Sequence, residues 1–224
     1  MSMALQSENQ TRGPARFLHL AGRLGPLLAL GLLVVLGAAV SSTFLTSENI
    51  LNVLTRSSII GIIAIGATFV ITSRGLDLSV GAMAAFVAGL SIMVMNGLFE
   101  SVSDTLAVVL GLGAALVLGG AAGMVNGVLT VKGRVEAFIV TLGTMGIMRS
   151  LVTWLSDGGS ISLDFALRGV GRPLYYGTVL GIPVPILVFG LLAILGELVL
   201  TRMRFGRHVT AFGSNAEVSR YSSF

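Results

Sequence analysis

Six apolar stretches, each long enough to cross a lipid bilayer as a helix, are the feature that most restricts how this chain can fold. A helix rises about 1.5 Å per residue, so roughly 20 residues cross the hydrocarbon core. The stretches occupy approximately residues 24–45, 54–73, 78–98, 105–131, 137–155 and 179–200. They predict an all-α fold, a polytopic bundle of transmembrane helices.

The composition supports this prediction. Hydrophobic residues make up 54% of the chain and charged residues only 11%, too little polar material to coat a soluble globule. The 30 glycines suit close helix packing in lipid, whereas a membrane barrel would alternate polar and apolar residues along short strands. Because the chain has no cysteine, disulfides, thiol catalysis and zinc–thiolate sites are excluded.

The first apolar stretch could also be a cleaved signal peptide, because it follows Arg12, Arg16 and Arg23. Small residues at positions 37–39 would then supply the cleavage site. The uncharged run over residues 24–47 is longer than the usual hydrophobic region of such a peptide, which favours a retained helix. We therefore predict an N-terminal tail over residues 1–23 and a membrane domain over residues 24–200.

The basic residues predict the orientation of the helices. With the N-terminus inside, three arginines face outward, namely Arg56, Arg168 and Arg172. The inner segments hold Arg12, Arg16, Arg23, Arg74, Lys132, Arg134, Arg202, Arg204, Arg207 and Arg220. This bias predicts an inner-membrane protein with both termini in the cytoplasm. Because the basic residues are scattered over short segments, they indicate orientation in a lipid bilayer and no nucleic-acid partner.

No pattern of an enzyme is present. Lys132, the only lysine, lies in no phosphate-binding glycine-rich loop, and two isolated histidines form neither a triad nor a zinc motif. The sequence therefore predicts no catalytic residue, no metal site and no cofactor in this chain. It also predicts that the chain does not hydrolyse ATP.

Two charged residues fall within the apolar stretches, where carriers driven by ion gradients place their ion sites. Glu197 lies about one turn from Arg202 and Arg204, so it can pair or reach the interface. Arg149 lies deeper. Two interpretations stay open for it: contact with a solute on a translocation path, or bonding to backbone carbonyls or an external aspartate.

Two further segments suggest roles in packing and capping. Gly119, Gly123 and Gly127 share one face of the fourth stretch, which predicts close approach of a neighbouring helix, with solute contact as the alternative. Between the second and third stretches, we expect Gly75 to end one helix and Asp77 to cap the next. Residues in the first turns of that next helix are Ser79 and Gly81. The longest external loop, residues 156–178, is a candidate docking surface.

Four blocks of sequence resemble one transporter family. Residues 44–54 read FLTSENILNVL, residues 65–72 read IGATFVIT and residues 75–81 read GLDLSVG. Further along, Asn126-Gly127 precedes KGRV at 132–135 and FIVTLGTM at 138–145, and residues 205–215 read FGRHVTAFGSN. In content, order and spacing these blocks resemble the permease subunits of bacterial ABC importers for ribose, xylose, arabinose and galactose.

The resemblance implies a monosaccharide importer of the bacterial inner membrane. It implies a homodimer of permeases, cytoplasmic ABC ATPases that bind ATP and Mg²⁺, and a periplasmic or extracellular solute-binding protein. Residues 201–224 would form the cytoplasmic segment that couples to the ATPase. The residues expected to act in coupling are Phe205, Gly206, Arg207, Gly213 and Asn215. They would form a short, stiff loop in which the two glycines permit turns and Asn215 can cap a helix. The residues expected along a translocation path are Asn126, Phe138, Thr141 and Arg149.

The sequence departs from the family pattern at several positions. Arg74 stands where the family has the first glycine of its GGIDLSVG block, and Glu136-Ala137 replaces Pro-Pro or Pro-Ala. Val218-Ser219 and Ser223-Phe224 also differ, in the region expected to meet the ATPase. Family members continue further with additional spanning helices. We therefore expect a product truncated at its C-terminus, with weak or absent ATPase coupling on its own.

Other functions remain open at the level of the sequence. Relatives in the wider superfamily carry branched-chain amino acids or nucleosides, and a permease fragment without transport activity is a further alternative. The alternative from another class is a secondary carrier or channel, which would transport solute without any ATPase.

Overall fold

The computed structural model describes the backbone of residues 12–214 and the side chains of residues 24–214. Its contacts divide the chain into two units, Met1–Val53 and Leu54–Phe224. In the first unit, helix α1 spans Arg12–Val40, and helix α2, Ser47–Thr72, begins there and continues into the second unit. The described apolar part of α1 is Leu24–Val40.

The connection between α1 and α2 is shorter than the sequence predicted. α1 ends at Val40 instead of residue 45, and α2 begins at Ser47 instead of residue 54. Turns form at residues 42–45, and the Asn49 side chain donates a hydrogen bond to the carbonyl of Phe44 at 2.7 Å. The Thr46 hydroxyl accepts the N–H of Asn49 at 3.3 Å, which is an N-terminal cap for α2.

The second unit continues with helices and one small hairpin. The helices after α2 are α3 (Val80–Leu98), α4 (Asp104–Val131), α5 (Ala137–Leu155), α6 (Arg168–Gly171), α7 (Pro173–Tyr176), α8 (Val184–Arg202) and α9 (Arg204–Ser214). Strands β1 (Thr178–Val179) and β2 (Ile182–Pro183) pair antiparallel through a turn at Leu180 and Gly181, both with positive φ. The last predicted span therefore begins at Val184, because residues 179–183 form this hairpin.

Within the described residues, five helices are long and apolar enough to cross a membrane: α2, α3, α4, α5 and α8. Their outward side chains are largely exposed, as at Ile60 (69%) and Leu116 (80%). Such exposure suits a surface that meets lipid, which solvates apolar side chains. The prediction of an all-α, multi-pass membrane bundle is confirmed.

The tightest packing joins α3 to α4. Met95 of α3 lies with Ala107 and Val108 of α4 in a buried apolar cluster. A side chain at Gly111 would collide with Met95 and come within 3.0 Å of the Ser91 carbonyl. The Ser91 hydroxyl also donates to the Gly111 carbonyl at 2.7 Å. Glycine at position 111 thus allows the two backbones to approach closely.

The glycine face predicted on α4 has no neighbour within the described chain. A Cβ atom at Gly119, Gly123 or Gly127 would have no atom within 4 Å in the described structure. No described helix makes the close approach that we expected along this face. The close approach of α4 to a neighbouring helix occurs about two turns earlier in α4, at Gly111.

The predicted external loop is partly ordered by one asparagine of α3. The Asn96 amide donates to the Ser162 carbonyl at 2.9 Å and its oxygen accepts the N–H of Asp164 at 2.9 Å. Leu167, fully buried, then fixes the start of α6 on the α3–α4 cluster. This loop lies at the opposite ends of α3 and α5 from the α2–α3 junction.

Candidate functional site

The junction between α2 and α3 is an irregular segment, residues 73–79. The N–H of Gly75 bonds to the Val70 carbonyl and that of Arg74 to the Ile71 carbonyl, both at 2.9 Å. This pair of bonds is a Schellman ending, whose left-handed residue is usually glycine. Here the left-handed residue is Arg74, with φ 61°. α2 therefore ends at Thr72, and Gly75 follows the turn that we expected it to make.

Asp77 fixes the next turn of this junction. Its Oδ1 atom accepts the backbone N–H of Ser79 at 2.8 Å and the Ser79 hydroxyl at 2.6 Å. Ser79 is fully buried and is itself the N-cap residue of α3, without a side-chain bond to the helix. Asp77 therefore shapes the turn before α3 and does not bond the free N–H groups of its first turn. Gly81 is exposed in that first turn.

Ser79 connects the junction to α4 and α5. The Asn126 side chain of α4 donates to the Ser79 hydroxyl oxygen at 3.1 Å. The Asn126 oxygen accepts the hydroxyl of Thr144 in α5 at 2.6 Å. These bonds form a continuous chain from Asp77 through Ser79 and Asn126 to Thr144, which we call the polar cluster. Asn126 is only 6% exposed, so the structure gives it a role inside the bundle.

The Thr141 side chain of α5 contacts backbone groups of the same junction. Its hydroxyl accepts the N–H of Leu78 at 3.2 Å and lies 3.3 Å from the Leu76 carbonyl. Its shortest bond is to the Ala137 carbonyl, at 2.8 Å. Among the described residues, no buried side-chain nitrogen or oxygen lacks a partner. In lipid such satisfied polar contacts between helices can each contribute about 0.6–2 kcal/mol.

Helix α9 docks onto the same end of the bundle. The Phe205 ring lies 6.1 Å from the Phe69 ring of α2, centroid to centroid. A side chain at Gly213 would collide with the Thr72 carbonyl at the end of α2. The Arg74 guanidinium donates to the Ser214 carbonyl, the last residue of α9, at 2.8 Å. A cation at a helix C-terminus is favourably placed against the helix dipole.

The glycines of α9 do not make turns as the sequence suggested. Gly206 and Gly213 lie inside the helix, without positive φ, and both are sites of close backbone approach. A side chain at Gly206 would collide with the carbonyls of Leu200 and Val199, so glycine there lets α9 fold back against α8. Asn215, predicted to cap a helix, lies outside the described residues.

α9 is strongly amphipathic. Phe205, Val209 and Phe212 recur at helical spacing, and Arg204 and Arg207 on the other side line a surface cavity together with His208. This helical period was visible in the sequence, where the segment was interpreted as a loop. Within the described residues, the Arg204 and Arg207 side chains are exposed at this end of the protein.

The structure separates the residues that the resemblance placed on a translocation path. Asn126 and Thr141 lie together at the junction, both at least 94% buried. Phe138 is 49% exposed, and Arg149 is exposed in the middle of α5. Within the described part of the chain, the Arg149 guanidinium has no hydrogen-bond partner. The backbone carbonyl of Arg149 accepts a hydrogen bond from the Thr153 hydroxyl at 2.9 Å.

The sequence did not indicate that Thr144 contacts the junction or that Arg74 contacts the end of α9. Thr144 lies one turn beyond Thr141. It reaches Asp77 through Asn126 and Ser79, and these residues are far apart in sequence. The presence of polar residues inside otherwise apolar spans was the one feature of the sequence that indicated such contacts. In the described part of the chain, no group of three histidine or acidic side chains could hold a metal ion.

Comparison with known proteins places the chain in a transporter family. The model of the family described as branched-chain amino acid transport system / permease component matches residues 49–224. The ribose import permease protein of Escherichia coli is 34% identical over 88% of this chain and 59% of its own length. The ribose import permease protein of Bacillus subtilis is 37% identical over 89% of this chain and 60% of its own length.

Relatives named for other sugars are also similar. The D-allose transport system permease protein of Escherichia coli is 32% identical over 97% of this chain and 64% of its own length. The chain thus spans less than two thirds of the length of these relatives. No solved structure matches it. Since the family model covers residues 49–224, the chain belongs to the family of branched-chain amino acid transport system permease components.

Proposed function

We propose that this chain is the permease component of an ABC importer that moves a monosaccharide or similar small polar solute into the cytoplasm. The observation that carries the proposal is the similarity to permeases named for ribose and D-allose, which extends over 88–97% of the chain. An L-arabinose ABC transporter permease of Azospirillum brasilense, 35% identical over 83% of the chain and 53% of its own length, supports the same solute class.

The proposed importer contains further subunits. A cytoplasmic ABC ATPase binds ATP and Mg²⁺ and supplies the energy, so no cofactor is needed on this chain. A periplasmic or extracellular binding protein delivers the solute, and a second copy of the permease completes the membrane pathway.

Helix α9 is the proposed contact with the ATPase. Its basic side, with Arg204 and Arg207, is exposed, while its other side meets α2 at Phe69 and Thr72. Displacement of α9 would therefore move the end of α2 and the junction that follows it. The polar cluster would carry this movement to α4 and α5, because Asn126 of α4 bonds to Ser79 and Thr144 of α5 bonds in turn to Asn126.

The proposed orientation places the α2–α3 junction and α9 on the cytoplasmic side, with both chain termini. The excess of arginine at this end supports it. A cysteine introduced at Lys132 should react with a membrane-impermeant maleimide only from the cytoplasmic side, and one at Asp104 only from outside. If the cysteine at position 104 reacts only from the cytoplasmic side, the chain has the opposite orientation.

Deletion of the gene for this chain tests the transport function. Cells that lack it should lose binding-protein-dependent uptake of labelled D-ribose, D-allose or L-arabinose, and the gene supplied in trans should restore it. Uptake of labelled leucine serves as the comparison for an amino acid importer. Unchanged uptake of all three sugars, with loss of leucine uptake, would replace the sugar assignment by the amino acid assignment.

A further inference from the structure

A cavity of about 270 Å³ lies between α2 and the α2–α3 junction. Its walls include Gly66, Ala67, Val70 and Ile71 of α2, together with Leu76 and Val80. Apart from backbone groups, one polar side chain lines it, that of Asp77. We call this space the Asp77 cavity.

The Asp77 carboxylate has unused bonding capacity at this cavity. Both of its bonds, to the N–H and the hydroxyl of Ser79, use Oδ1. Within the residues that the structure describes, Oδ2 has no hydrogen-bond partner and no cation lies in salt-bridge contact with the carboxylate. The backbone N–H groups of Leu76 and Asp77 are likewise without partners in the described chain.

The unpaired oxygen of Asp77 matters because the junction lies inside the ends of the neighbouring helices. Its last residue, Ser79, bonds to Asn126, which lies about one and a half turns inside the end of α4. Irregular backbone at membrane depth is tolerated where it is buried in protein or lines a water-filled cavity. A carboxylate facing lipid at this depth would be costly. A carboxylate on the wall of the Asp77 cavity is stabilised by water or a polar ligand, and not by lipid.

We propose that the Asp77 cavity binds a neutral polyhydroxylated solute, with the Asp77 carboxylate accepting hydrogen bonds from its hydroxyl groups. A carboxylate oxygen accepts hydroxyl hydrogens, and the free N–H groups of the junction can donate to hydroxyl oxygens. The apolar wall from α2 suits the C–H faces of such a solute. This inference rests on the proposed function and names the residue that would recognise the solute.

The geometry also predicts how two substitutions at Asp77 differ. Asparagine keeps an oxygen that can accept both bonds from Ser79, so the turn is retained while the second oxygen becomes an N–H donor. Alanine removes both functions. A carboxylate that only shapes the turn would tolerate Asp77→Asn and fail in Asp77→Ala. A carboxylate that binds hydroxyl groups fails in both, with Asp77→Asn weakening sugar binding about tenfold or more.

Labelling of a single cysteine measures binding without any transport assay. The natural chain has no cysteine, so Ala67→Cys places one thiol on the cavity wall. In membranes that contain the assembled importer, this thiol should react with N-ethylmaleimide, because the reactive thiolate needs water. Cysteine at the lipid-facing Leu116, 80% exposed on α4, is the control and should react slowly.

D-ribose, D-allose or L-arabinose should slow the labelling of Ala67→Cys, and the added Asp77→Asn should raise the sugar concentration needed for half-maximal protection about tenfold or more. Protection by sodium chloride but not by choline chloride or any sugar would overturn the proposal in favour of a cation site. An unreactive thiol, or protection that needs the same sugar concentration with and without Asp77→Asn, would also overturn it. Uptake of a sugar by the same importer without any protection would reject this site and leave the proposed function intact.

Discussion

Replacing Asn126 by aspartate is expected to destabilise the second unit by roughly 3–5 kcal/mol, the usual cost of an uncompensated buried charge. The substitution removes the N–H that bonds to Ser79 and places a carboxylate at a position only 6% exposed. The single hydroxyl hydrogen of Ser79 is already directed to Asp77, so two carboxylates would compete for it. Thermal unfolding of the detergent-solubilised protein measures the loss.

The matched control is the same chemical change at an exposed position of α2, Asn52→Asp. It should leave the midpoint of unfolding nearly unchanged, because Asn52 precedes the apolar stretch of residues 54–73 and a charge there can reach water. A third variant, Asn126→Leu, removes the polar cluster without adding charge and should cost less than Asn126→Asp. Equal unfolding midpoints for Asn126→Asp and Asn52→Asp would show that Asn126 is not buried in the polar cluster.

Replacing Gly213 by leucine is expected to displace α9 from the end of α2. The new side chain would collide with the Thr72 carbonyl, which is backbone and cannot rotate away. Displacement would break the bond from Arg74 to Ser214 and the contact between Phe205 and Phe69. Overpacking costs about 1–3 kcal/mol, so local opening of α9 should become about tenfold more frequent.

Limited trypsin digestion reports this opening, because release of α9 makes its backbone at Arg204 and Arg207 accessible to the protease. Cleavage should accelerate in Gly213→Leu by about the same factor. Gly123→Leu is the control, since a Cβ at Gly123 would meet no described atom within 4 Å. Equal cleavage rates in the two variants would show that α9 is not held against α2 at Gly213.

Hydropathy predicted where helices α3, α4 and α5 lie because it depends only on local composition, whereas α2 begins at Ser47 and not at residue 54. The ends of α3, α4 and α5 lie within two residues of the expected positions. The start of α8 was misplaced because the hairpin residues 178–183 are nearly as apolar as the helix that follows. The end of α1 was misplaced because the chain stays uncharged through Ser41, Ser42 and Thr43 and turns apolar again at Phe44 and Leu45.

The connections between spans could not be predicted from local sequence. Glycine at 206 and 213 was interpreted through its backbone freedom, whereas the structure uses its lack of a side chain. Gly206 approaches the carbonyls at the end of α8, and Gly213 approaches the Thr72 carbonyl of α2. The family's glycine is replaced at Arg74, yet the left-handed turn is retained there, where non-glycine residues typically lose about 1–2 kcal/mol. The bond from Arg74 to Ser214 contributes an interaction that glycine could not make.

The energy source of sugar uptake tests the central claim most directly. Cells that carry this chain with its binding protein and ATPase should lose uptake of labelled sugar when the ATP-binding lysine of the ATPase is replaced. The same cells should retain uptake when an ionophore collapses the proton and sodium gradients while ATP is maintained. Uptake that survives inactivation of the ATPase and disappears with the ionophore would show that the chain acts as a secondary carrier, which contradicts the account.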